Sequence, residues 1–104
     1  MFKICPSECP KLLQNNKVII LDIREQYEYD AVHLNSLHIP MAEIENKLSE
    51  LKDFEKVIVM CHSGKRSEAL VNYLETEFNL NNLLVMEGGI IAWKDKVDNS
   101  LRME

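Results

Sequence analysis

The chain has 104 residues, close to the commonest size for one domain, and its 46% apolar and 28% charged content is ordinary for a globular protein. A formal net charge of −5 argues against nucleic acid as a bulk partner, which would need a basic face, but leaves room for a small anion met by a local cluster of cations. No apolar run approaches the ~20 residues that cross a bilayer, and the opening Met1-Phe2-Lys3-Ile4-Cys5-Pro6 lacks the apolar stretch of a secretory signal, so a single cytoplasmic domain over residues 1–104, with no membrane partner, is expected.

In chain order, Ser7 suits a helix N-cap and Pro10 a first turn, which predicts a short helix from Glu8 to Gln14. Val18-Ile19-Ile20-Leu21 reads as a buried strand closing on Asp22-Ile23-Arg24. Glu25 to Asp30 is polar, a short helix or turn carrying Tyr27 and Tyr29. Leu37-His38-Ile39 is a short strand stopped by Pro40, and Ala42 to Leu51 is a helix with Ile44, Leu48 and Leu51 on one face. Val57-Ile58-Val59-Met60 is a strand too short for a helix. From Arg66 to Phe78, Leu70, Val71, Leu74 and Phe78 form the one-sided stripe of a packed helix. Leu83 to Met86 is the last strand, and Gly88-Gly89 turns tightly into Ile90-Ile91-Ala92-Trp93-Lys94, with Trp93 in the core.

Strands alternating with helices at these intervals predict an α/β fold, doubly wound, with a mainly parallel sheet of about five strands and helices on both faces. Ligands of such folds sit at the carboxyl ends of the strands. Asp22, Cys61 and Glu87-Gly88 each follow a strand there and are expected on one rim.

Three cysteines is an odd number, and the chain can build a core without staples, so a disulfide framework is not expected. Cys5 and Cys9 form a C-x3-C pair, but His33, His38 and His62 complete no metal-ligand spacing, and no metal or cofactor is expected. Cys61 differs. It opens the segment Cys61-His62-Ser63-Gly64-Lys65-Arg66-Ser67, between a buried strand and a helix N-terminus. A free thiol is only ~3% thiolate at neutral pH, and backbone N–H groups, a helix dipole and neighbouring cations all favour the anion. That is the setting of a nucleophile.

Four ordered segments now carry a resemblance, from about Ile4 to Val97, to the rhodanese-like sulfurtransferases. Asp22-Ile23-Arg24 through Glu28-Tyr29 resembles the family's D-x-R-x-x-x-E-[FY] stretch, and Val32-His33-Leu34 with Ile39-Pro40 its G-H-I…I-P stretch. Cys61 to Ser67 resembles the active-site loop, and Gly88-Gly89-Ile90-Ile91-Ala92-Trp93 the closing G-G-x-x-A-W. Val32 stands where the family usually has glycine, and Asn35-Ser36 where it has proline-glycine.

The resemblance implies that Cys61 takes a sulfane sulfur from a small anionic donor such as thiosulfate or a persulfide, and passes it to a thiol or cyanide acceptor, a sulfur-carrier protein included. His62, Ser63, Gly64, Lys65, Arg66 and Ser67 would bind the substrate and the anionic persulfide, with Lys65 and Arg66 drawing the donor. Asp22 and Arg24 read as structural support at the strand end, and His33 as a structural histidine. His62, next to the nucleophile in sequence, is expected to point away from the sulfur. Two rivals remain: a non-catalytic rhodanese-like module for binding or regulation, and a cysteine phosphatase or arsenate reductase. Phosphatase loops follow C-x5-R, but here the arginine is fifth after the cysteine and Ser67 is sixth, a ring better sized for sulfur than for a tetrahedral oxyanion.

Overall fold

The aliphatic runs pair as one sheet. In the computed structural model, which describes residues 1–103, the strands are β1 (Phe2–Ile4), β2 (Val18–Asp22), β3 (Leu37–His38), β4 (Lys56–Met60) and β5 (Leu83–Met86). The helices are α1 (Cys9–Leu12), α2 (Gln26–Ala31), α3 (Leu48–Lys52), α4 (Lys65–Phe78) and α5 (Gly89–Lys96). The strand order is β1-β5-β4-β2-β3, and every neighbouring pair is parallel.

Parallel strands need both faces covered, and the alternation along β4 shows how. Val57 and Val59 point into an apolar cluster with Leu51 of α3 and Leu70, Val71 and Leu74 of α4. Ile58 and Met60 point into a second cluster with Cys9 of α1 and Ile90 of α5, against which Trp93 packs half-buried. From β2 the chain moves outward to β3, whereas from β4 it moves the other way to β5. The order therefore reverses between β2 and β4, and the crevice beyond their carboxyl ends is where such sheets take ligands. Among the described residues, no helix is long and apolar enough to cross a membrane.

Several local expectations need correction. β1 is a three-residue edge strand with only Ile4 buried, so no alternation announces it. The helix expected over 8–14 is a 3-10 turn at Pro6–Glu8 followed by α1; Cys5 and Glu8 stand at the two N-terminal boundaries, and neither they nor Ser7 cap a helix with a side chain. Ser7 turns its Oγ to Cys5 Sγ, 3.2 Å away. The helix expected over 42–51 is a 3-10 segment, Met41–Lys47, that breaks before α3 because Lys47 leaves helical geometry at φ −128°. α4 begins one residue early, at Lys65. Its stripe ends at Leu74, because Phe78 is exposed and meets Tyr73 edge-on at 5.8 Å.

At the carboxyl end of β2, Asp22 and Arg24 are almost fully buried, at 0% and 1% exposure. Asp22 Oδ1 accepts from the Arg24 backbone N–H and Nε (3.0 Å each), and Oδ2 accepts from Nη2 at 2.9 Å. The same Nη2 donates to the Val32 carbonyl at 2.7 Å, so the guanidinium ties the end of α2 to the sheet. The Arg24 carbonyl in turn accepts from His38 Nε2 at 2.9 Å, which holds β3. A buried ion pair adds little net stability, but removing one partner leaves an uncompensated charge. Asp22→Asn is therefore expected to cost about 3–5 kcal/mol, a large share of a small domain's stability, read as a lower urea midpoint.

Candidate active site

Cys61 leaves β4 directly and is 1% exposed. The next strand edge anchors it from behind, since the Ile23 N–H donates to the Met60 carbonyl at 3.0 Å. The chain then curls back on the sulfur, and the Gly64 N–H donates to Cys61 Sγ at 3.0 Å. That curl needs φ +101° at Gly64, where a side chain would be strained. α4 starts at the following residue, so the sulfur sits beside the first turn of a 14-residue helix, the positive end of its dipole.

A second clamp acts on the loop's carbonyls. The Ile90 N–H donates to the Cys61 oxygen at 2.9 Å and the Ile91 N–H to the His62 oxygen at 3.3 Å. Free N–H groups at a helix start are the natural donors for this. Gly89 makes the approach possible: at φ +60°, a Cβ there would lie 2.4 Å from both oxygens. In a trans peptide the N–H points opposite to the C=O, so the clamp turns the His62 and Ser63 N–H groups away from α5.

The other predicted loop residues separate. Ser63 and Lys65 are exposed, and Lys65 is the first residue of α4. Ser67 is fully buried, caps nothing, and its Oγ has no hydrogen-bond partner among the described residues. His62 is half-buried and lines a cavity of about 490 Å³ together with Arg24, Tyr27, Glu28 and Val32. A larger cavity of about 690 Å³ lies beside α1 and includes no residue of the Cys61–Ser67 loop.

Arg66 is held by a residue that the loop alone does not reveal. Its Nη1 and Nη2 donate to Glu28 Oε1 and Oε2 at 2.8 and 2.9 Å, a bidentate fork on α2. Glu28 is 38 residues away in sequence, yet it is the glutamate of the D-x-R-x-x-x-E stretch, so the signal was present without its partner. The Arg66 hydrogen bonds hold the Glu28 carboxyl down to about 2. The same contact raises Arg66, and negative charge on Cys61 adds to it. Glu28 Oε1 also accepts from the Glu25 N–H at 3.1 Å, completing a capping box on α2.

Around this frame, Tyr29 is sandwiched between His33 and His38, with ring centroids 4.0 and 4.2 Å apart and planes within 9°. His33 Nδ1 lies 2.9 Å from the Tyr29 carbonyl and so donates to it. Val32, in the family's glycine position, is extended at φ −161°, a conformation any residue adopts. Ser36 Oγ donates to the Leu34 carbonyl at 3.3 Å in the turn where proline-glycine is usual.

Cys5 and Cys9 stay apart from Cys61. Cys9 lies in the apolar cluster on the opposite face, and burial pushes its thiol up to about 12. Cys5 is drawn down chiefly by Ser7 and has Lys96 Nζ at 3.8 Å.

Known proteins place this arrangement. The family model for the rhodanese-like domain matches residues 6–96. The thiosulfate sulfurtransferase GlpE of Coxiella burnetii is 33% identical over 89 residues, covering 84% of this chain and 81% of that protein. A putative sulfur carrier protein of Bacillus subtilis, YrkF, is 29% identical over 85% of this chain, which spans 48% of its length. The crystal structure of a rhodanese-like domain protein from Staphylococcus aureus superposes with a TM-score of 0.80 at 32% identity, covering 100% of this chain and 99% of that one.

Gly89→Ala is expected to push the loop off α5 and to slow alkylation of Cys61 by iodoacetamide by more than about tenfold in protein that circular dichroism shows to be folded. For Glu28 the folded carboxyl lies below its ordinary 4.5, so its stabilising contribution is complete above about pH 4.5 and is lost as pH falls toward 2. The difference in Tm between wild type and Glu28→Gln should be largest above that window and shrink through it.

Proposed function

This chain belongs to the rhodanese-like domain family, and from that membership we propose that it is a sulfurtransferase whose Cys61 carries a sulfane sulfur as a persulfide. The observation that carries the reading is the Gly64 N–H on Cys61 Sγ, inside a loop closed on one side by α4 and on the other by α5. In the first step the Cys61 thiolate attacks the sulfane sulfur of an anionic donor. With thiosulfate, the donor's S–S bond breaks, a new S–S bond forms at Sγ, and sulfite leaves with the electron pair. In the second step a thiolate or cyanide attacks the outer sulfur, takes it as a persulfide or thiocyanate, and releases the Cys61 thiolate. Atoms and electrons balance with donor and acceptor alone, in a ping-pong cycle.

The intermediate is an anion, which is what the loop is built to hold. The Gly64 N–H and those of His62 and Ser63, released from α5, are the candidate donors to its outer sulfur. Lys65 supplies an exposed cation at the rim. Arg66, already forked to Glu28, acts chiefly by fixing the loop to α2, with contact to the donor secondary. The phosphatase alternative asks for an arginine free to grip phosphate bidentately, and here the fork is occupied by a carboxylate. A sulfur-carrier protein as acceptor accords with the kind of protein found among the relatives.

Incubation with thiosulfate followed by intact-mass measurement should show the gain of one sulfur atom, absent in Cys61→Ala and removed from the wild type by cyanide. No gain with thiosulfate, an organic persulfide or inorganic polysulfide would replace the enzyme with a binding module.

A further inference from the structure

The cavity beside His62 has a wall that the loop motifs do not describe. After α5 the chain reverses: the Val97 N–H donates to the Trp93 carbonyl at 2.8 Å, and Asp98 Oδ1 accepts from the Ser100 N–H at 3.1 Å. The Leu101 N–H closes the turn on the Asp98 carbonyl at 3.3 Å. Leu101 and Met103 then both pack, half-buried, against the cluster that contains Trp93, Val32 and Leu34. Arg102 lies between these two anchors, is exposed, and lines the 490 Å³ cavity with Met103, Tyr27 and His62.

The charges around that cavity are unevenly matched. Arg24 is neutralised by Asp22 and Glu28 by Arg66. Among the described residues no carboxylate pairs with Arg102. Among the described residues, the cleft lined by His62, the residue after Cys61, therefore holds in Arg102 a cation with no carboxylate partner, on a segment held by apolar contacts on either side. We propose that Arg102 binds the anionic end of the donor and sets the preference of Cys61 for anionic over neutral electrophiles. The proposal rests on the sulfur-transfer reading for its natural substrate, yet its physical content, attraction of an anion toward Cys61, holds for any reagent that reaches the thiolate. In the transfer from thiosulfate, charge accumulates on the departing sulfite, and a guanidinium lining this cleft would offset it.

Two reagents of nearly the same shape separate the possibilities. Iodoacetate and iodoacetamide both alkylate a thiolate with loss of iodide, and only the first is charged. Arg102→Ala should lower the iodoacetate-to-iodoacetamide rate ratio at Cys61 by about five- to tenfold, with Arg102→Lys restoring most of it. The double substitution Leu101→Ser, Met103→Ser, which releases the anchors and keeps the arginine, should lower the ratio as well. The thiosulfate KM should rise in step. A ratio unchanged in Arg102→Ala overturns the assignment, and does so whether or not the wild type gains sulfur from thiosulfate. A wild type that gains no sulfur while its ratio still depends on Arg102 would retire the sulfur-transfer reading and leave the anion site standing.

Discussion

Everything in the Cys61 loop depends on one close approach, that of the α5 N-terminus to the carbonyls of Cys61 and His62. Gly89 is the residue that permits it, since any side chain there would occupy the space of two oxygens. The hydrogen bonds from Ile90 and Ile91 fix which way the loop's peptides face. A thiolate or persulfide is stabilised only by donors already pointing at it, because donors that must reorient lose much of the benefit. The glycine is far from Cys61 in sequence and meets the loop at its backbone oxygens. Yet it is the condition for the site's electrostatics.

The second organising element is a set of charge pairs that turn inward. Asp22–Arg24 lies at the end of β2, tied to Val32 and, through the backbone, to His38. Glu28–Arg66 spans from α2 to the start of α4. Together they join α2 to both sides of the crevice between β2 and β4. The first is almost fully buried and the second half-buried; neither adds much net stability, but their forked geometry fixes position. The result is a site whose arginines are largely structural, in a chain of net charge −5. On the proposed reading, attraction of an anionic donor falls to backbone N–H groups, Lys65 and Arg102.

Much of this was legible in the sequence because it is written in local pattern. Strands β2 to β5, the stripe of α4 and the placement of Cys61 between β4 and a helix all follow from short runs of residues. The family resemblance added the order of the motifs. What escaped was set by tertiary contact. β1 has three residues and gains its identity only by pairing with β5. The 3-10 stretch at Met41–Lys47 keeps Ile44 buried, as a regular helix would, so the periodicity could not tell the two apart. The fork of Arg66 to Glu28 escaped because that partner lies on another helix. Val32 looked like a departure until its extended backbone showed that no glycine was needed there. The segment from Asp98 to Met103 carries no periodic signal, and only packing places it beside His62.

The clamp on the loop also orders events in time. The central strands β2 and β4, and the cysteine itself, precede α5 in the chain, and domains are synthesised from the N-terminus. While β5 and α5 are still missing, the Cys61 and His62 carbonyls lack the donors that orient them, and the loop has no reason to hold a sulfur anion. The loop takes its final shape only when the sheet is complete and α5 docks on these two carbonyls.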